Sequence, residues 1–117
     1  MDIVLPYPTA SNASPRARKL KLAYRELCRE KLSGLIPDKR EKFMSVRFFP
    51  NVKGRSRGDI DNLLKTILDA LKGFAFVDDG QVRGMFVLMM DIDKDNPRVE
   101  LQISAYHPQK QKERISE

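Results

Sequence analysis

At 117 residues the chain has room for one domain with a modest core, and a symmetric dimer would enlarge the surface it buries. One cysteine, Cys28, excludes an internal disulfide. One histidine, His107, excludes a histidine-based nucleophilic triad, and with Cys28 it is too little for a zinc site. The net charge of +6 is unevenly spread: Lys and Arg outnumber Asp and Glu 14 to 5 over residues 1–57, and 8 stand against 11 over residues 58–117. A basic half joined to an acidic half suggests a surface that attracts a polyanion beside a local carboxylate cluster, though an unevenly charged solvated surface is an equally ordinary source of this pattern.

In chain order, Ile3-Val4-Leu5 predicts a short strand stopped by Pro6-Tyr7-Pro8. Ser14-Pro15 is a helix start, with Ser14 as N-cap, and Leu20, Ala23, Tyr24, Leu27 and Cys28 form a helical stripe at i, i+3, i+4, i+7 and i+8. Arg16, Arg18, Lys19, Lys21, Arg25 and Arg29 cover the rest of that helix, which Gly34 and Pro37 end. Residues 43–49 read as a strand with Met44, Val46 and Phe48 on one face. The following loop carries Lys53, Arg55, Arg57 and two glycines, a composition suited to moulding onto phosphates, although taken alone a plain polar loop is the more ordinary reading. A second helix starts near Asp59 to Asp61, with Ile60, Leu63, Leu64, Ile67, Leu68 and Leu71 on its apolar face, and Gly73 closes it. Phe74-Ala75-Phe76-Val77 reads as extended and Asp78-Asp79-Gly80 as a turn. Residues 81–92 and 99–106 read as strands joined in an antiparallel hairpin through residues 93–98. The expected fold is a small single α/β (α+β) domain over residues 1–106, with a mixed sheet and two main helices, followed by a polar, mobile tail over 107–117. Met1-Asp2-Ile3-Val4 has no charged leader before a long apolar run, so a cytoplasmic protein without a membrane span is expected.

The chemistry is carried by the block Gly58-Asp59-Ile60-Asp61-Asn62-Leu63-Leu64-Lys65 and the later Val77-Asp78-Asp79. With Asp61 as N-cap, Asp59 lies just outside the helix, and the two carboxylates converge where the helix dipole favours negative charge. Hard oxygen ligands of this kind suit Mg²⁺ or Mn²⁺. Lys65, four residues after Asp61, lies on the same helical face, placed to hold a phosphate oxygen. A strand returning along the helix would bring Asp78 or Asp79 to the same pocket, which outlines a phosphodiesterase site. Each feature alone has a plainer reading: Asp59 or Asp61 as a cap, Lys65 as a helical ion-pair partner, Asp78-Asp79-Gly80 as a turn. The sequence contains no phosphate-cradling glycine-rich motif.

Asp59-Ile60-Asp61-Asn62-Leu63-Leu64-Lys65, Leu68-Asp69-Ala70-Leu71, Asp78-Asp79 and Gln81-Val82, with the opening Leu5-Pro6-Tyr7-Pro8 and Asn12, resemble the RusA family of Holliday-junction resolvases over about residues 3–106. The resemblance implies a homodimeric, Mg²⁺-dependent endonuclease, with Mn²⁺ able to substitute, that nicks four-way DNA junctions in pairs during recombination and repair. It makes Asp59, Asp61 and Asp79 the metal-binding and catalytic carboxylates and Lys65 an essential site lysine. Asp78 is an assisting neighbour; Lys53, Arg55 and Arg57 lie against the junction backbone, and Asn62 joins the DNA-binding set. No organic cofactor is implied, and a bacterial or phage-encoded origin is expected. The chain departs from the family pattern at Ala13-Ser14, where an aromatic pair is common, and at Gly80, where a polar residue is common. The basic loop also has no aromatic residue to wedge into a junction centre. These departures bear on DNA selectivity more than on cutting. A non-catalytic module that binds branched DNA and a nuclease acting on flaps or forks are the competing readings.

Overall fold

The computed structural model describes residues 1–8, 15–32, 37–53 and 58–107. In chain order these form β1 (Asp2–Pro6), α1 (Pro15–Lys31), β2 (Lys42–Phe49), α2 (Ile60–Leu71), a 3-10 turn (Asp79–Gln81), β3 (Val82–Met89) and β4 (Arg98–Ala105). Ser14, Gly34 and the tail beyond His107 lie outside the described residues. Among the described residues no helix is long and apolar enough to cross a membrane.

The four strands form one mixed sheet in the order β1-β4-β2-β3, which with the two helices gives the expected α+β domain. Alternation places Ile3 and Leu5, Met44, Val46 and Phe48, and Val99, Leu101 and Ile103 on one face of the sheet, all buried. Tyr24 and Cys28 of α1 and Leu63, Ile67, Ala70 and Leu71 of α2 complete the same core, so both helices cover that face. Neither stripe is quite the predicted one: Ala23 of α1 is exposed, and the buried face of α2 is rotated, leaving Ile60 exposed and burying Thr66 and Ala70. The opposite sheet face leaves Val4, Phe86 and Leu88 exposed. Tyr24 ties α1 to β1 by donating its hydroxyl to the Pro6 carbonyl, and burial, followed by the neighbouring Tyr7, pushes its ionisation well above the ordinary tyrosine range.

The hairpin expected between the last two strands does not form. β3 runs parallel to β2, with Ser45 opposite Phe86 and Val46 opposite Val87, and β4 lies antiparallel on the other side of β2. Met44, Val46 and Phe48 are fully buried, and a strand in that position hydrogen-bonds along both edges, which places β2 between the two strands that local turn chemistry would have joined. Residues 90–97 therefore carry the chain past the end of β2, held by Met90 N–H to Phe48 O at 2.8 Å and Asp93 N–H to Pro50 O at 2.9 Å.

Phe74 to Val77 are not extended either. Gly73 takes φ +88°, a conformation a side chain would strain, and α2 folds straight into a tight turn. The Ala75 N–H returns to Leu71 O at 2.9 Å and the Gly73 N–H to Phe76 O at 2.7 Å, which drops Phe76 into the core. Arg25 of α1 caps this end of α2: its Nη1 donates to the carbonyls of Asp69 and Lys72 at 2.8 and 3.2 Å, and its guanidinium lies 5.0 Å from the centre of the Phe74 ring. The last turn of α2 has no cation of its own, so α1 supplies the one that opposes its dipole.

Candidate active site

Parallel strands begin at the same end of a sheet, so the chain must travel back along the sheet between β2 and β3. α2 makes that return. Its first residue therefore stands at the end where β2 finishes, and the residues just before β3 stand at the end where β2 starts. This topology decides where each candidate carboxylate sits.

At the start of α2, Gly58 has φ +87°, and a Cβ there would lie 3.1 Å from Leu63 Cδ2, so the entry to the helix requires glycine. Asp59, not Asp61 as expected, is the N-cap, with extended backbone and no hydrogen bond from its side chain into the helix. Its carbonyl accepts the Leu63 N–H at 3.0 Å. Asp61 occupies the first helical turn, Asn62 follows it, and Lys65 lies one turn further on; all four side chains are exposed. The side chains of Asp59, Asp61 and Lys65 make no hydrogen bond or ion pair with a described residue. Two unpaired carboxylates therefore meet the positive end of the helix dipole, with a free ammonium one turn away.

Lys53, the described member of the predicted basic loop, is exposed just beyond β2; Arg55 and Arg57 fall outside the described residues. With Asn51, Val52, Ile92 and Lys94 it lines an open cleft of about 600 Å³. Lys94 escaped sequence reading because residues 93–98 read only as the connection of a hairpin. Hydrogen bonds from residues 90–93 to β2 and Pro50 bring it there instead.

At the other end of α2, Asp79 opens the 3-10 turn, its side chain exposed and without a hydrogen bond or ion pair to a described residue. Asp78, its neighbour, is engaged: Lys72 Nζ lies 3.2 Å from its Oδ1, and that ammonium, aided by the Gly80 N–H, holds the Asp78 carboxyl below the usual range. Asp78 is thus tied to the end of α2, and Asp79 presents its oxygens to solvent. The expectation that the chain returns Asp79 to the start of α2 is not met within one subunit. Twelve helical residues span about 18 Å, and Asp79 is fastened beside Lys72, which ends the helix. Among the described residues, no three His, Cys, Asp or Glu side chains are gathered into a metal-holding group.

The donor set nevertheless fits a hydrated divalent cation. Asp59, Asp61 and Asp79 are hard oxygen donors, exposed and not consumed by neighbours, and Mg²⁺ takes one or two protein carboxylates while keeping several waters. Asp38 and Asp93 differ in this respect. Asp38 is held by Arg40 and Lys42, and Asp93 by Arg98.

Comparison with known proteins agrees with the sequence resemblance. No curated protein matches the chain. The family model described as endodeoxyribonuclease RusA matches residues 7–104, which include both helices, the Asp59-to-Lys65 block and the Asp78-Asp79 turn. The chain belongs to the RusA family of endodeoxyribonucleases.

Proposed function

We propose that this protein is a Mg²⁺-dependent, structure-specific endodeoxyribonuclease that resolves four-way (Holliday) DNA junctions by paired symmetric nicks, in DNA recombination and repair. The observation that carries the reading is the pair Asp59 and Asp61, unpaired and exposed at the start of α2 within the family match. Asp59, Asp61 and Asp79 hold the metal; when bound, it supplies an activated water and withdraws charge from the scissile phosphate. Lys65, one turn from Asp61, holds a non-bridging phosphate oxygen and offsets the charge that builds there. Asn62 contacts the nucleic acid beside it. Lys53, Arg55 and Arg57 contribute salt-sensitive affinity that is largely independent of sequence. Cleavage on this scheme leaves 5′-phosphate and 3′-hydroxyl ends.

The acting species is a homodimer. Asp59 and Asp61 stand at one end of the β2–α2–β3 crossover and Asp79 at the other, so a two-fold dimer that sets the start of α2 against the Asp79 turn of the partner subunit assembles all three carboxylates twice. Two equivalent centres match the two strands that must be nicked in a near two-fold junction. The test is cleavage of a synthetic four-way junction against a linear duplex of the same sequence, with Mg²⁺ and with EDTA. Paired nicks confined to the junction and dependent on Mg²⁺ are expected. Tight junction binding without cleavage in any divalent metal would leave a branched-DNA binding module, and equal cutting of flaps or forks would widen the substrate class.

A further inference from the structure

Gln81 uses every hydrogen-bonding position of its side-chain amide. Its Oε1 accepts the backbone N–H groups of Val77 and Asp78 at 2.8 and 3.0 Å, and its Nε2 donates to the carbonyls of Asp38 and Arg40 at 2.7 and 2.9 Å. A primary amide has two N–H donors and two acceptor lone pairs, so the group is saturated. Only one orientation satisfies these partners, because a turned amide would set its NH₂ against two N–H groups and its oxygen against two carbonyls.

The clamp joins two different pieces of structure. On one side is the turn that carries Asp79. On the other is the segment entering β2, which is itself fixed: the Asp38 carboxylate accepts from the Arg40 backbone N–H and guanidinium and from Lys42 Nζ, at 2.8 to 3.2 Å. The Asp79 side chain makes no hydrogen bond to a described residue, so the place of its carboxylate is inherited from the turn. Lys72 holds the turn to α2 through Asp78, and Gln81 holds it to the sheet.

We infer that Gln81 is the positioning residue for Asp79: its amide, not a metal contact, fixes where the Asp79 carboxylate stands relative to β2. This rests on the proposed role of Asp79 as a metal ligand. Glutamate at this position would keep both accepted bonds, lose both donors and set a carboxylate against two carbonyl oxygens. Methionine would fill the space and make none of the four bonds.

The experiment compares Gln81→Met and Gln81→Glu with Asp79→Asn in the full chain. In metal-free protein, amide exchange at Val77 and Asp78 is expected to rise about tenfold or more in Gln81→Met, with the β2 amides unchanged. With Mg²⁺, the concentration giving half-maximal junction cleavage is expected to rise about tenfold in both Gln81 variants, the rate recovering at high Mg²⁺ and junction binding in EDTA unchanged. Asp79→Asn is expected to stay inactive at every Mg²⁺ concentration. Wild-type exchange and wild-type Mg²⁺ dependence in the Gln81 variants, beside an inactive Asp79→Asn, would overturn the positioning role and leave the metal reading standing. Wild-type cleavage by Asp79→Asn would overturn the metal reading, and this inference with it. If Gln81→Met does not fold, Gln81→Glu carries the test; unfolding of both would overturn the inference, making Gln81 a residue of the fold at large.

Discussion

Asp59 and Asp61 differ from the other well-placed aspartates in what surrounds them. Asp38, Asp78 and Asp93 each lean on a cation, whereas the two at the start of α2 are unclaimed. Asp61→Asn keeps the shape and removes the charge, so junction binding in EDTA should persist while Mg²⁺-dependent cleavage falls about 100-fold or more, read from single-turnover rates. On the proposed mechanism Lys65 offsets charge that develops during reaction, so Lys65→Ala should likewise act on the rate, by about 100-fold. Lys53→Ala and Lys94→Ala line the cleft without reaching the carboxylates' helix. Each should leave the single-turnover rate intact and lower the slope of log affinity against log salt by about 1, measured by junction-binding titrations.

At the scale of elements, the cross-links between them are few and specific. Tyr24 gives α1 a direct bond to β1 at Pro6, and the phenol is otherwise enclosed by the core. Tyr24→Phe leaves that carbonyl without its donor and should cost about 1–3 kcal/mol in urea unfolding, with cleavage by the remaining folded protein unchanged. Phe48 has no exposed surface in the central strand, so Phe48→Ala should cost about 3–5 kcal/mol in urea unfolding, a large share of the stability of a domain this small. Helix periodicity made α1 and α2 legible because each buries one stripe against a single sheet face. Ala23 and Ile60 fell outside the buried faces; in α2 that face is rotated from the apolar arc toward Thr66 and Ala70. The run Phe74 to Val77 has strand composition, yet Gly73 and the return of its backbone hydrogen bonds to Leu71 turn it into a helix stop. Local propensity had no means of registering that Phe76 is drawn into the core by the end of α2.

On the scale of the whole molecule, acid sensitivity follows from paired carboxylates. The Arg40 and Lys42 side chains hold Asp38 well below the usual carboxylate range, and Arg98 lowers Asp93. A carboxylate whose folded pKa is depressed contributes stability above its unfolded pKa, near 4, and loses it as pH falls through the folded value. Urea midpoints should therefore be level from pH 7 to 5 and fall below about pH 4, with a shallower fall in Asp38→Asn. The separation of Asp79 from Asp59 and Asp61 makes a prediction about assembly. If each centre takes Asp79 from the partner subunit, mixing inactive Asp61→Asn and Asp79→Asn proteins creates mixed dimers with one intact centre. Single-strand nicking of a junction should then reappear in the mixture; its absence, once subunit exchange is established, would place each centre within one subunit.

The sequence by itself determined the two helices and four strands, the buried faces of the central strands and the family, because apolar periodicity and the Asp59-to-Lys65 block are properties of contiguous residues. Strand order and the distance between carboxylates were decided only by tertiary structure. β3 and β4 both alternate and are joined by turn-forming residues, which is the local signature of a hairpin. The apolar requirement of β2 for neighbours on both edges overrode it. The parallel pairing that resulted obliges α2 to span the sheet, and so puts Asp79 at the end opposite Asp59 and Asp61. Spacing along the chain fixes which residues share a helix face, while the direction of a neighbouring strand, a long-range choice, fixes which ends of the molecule they occupy.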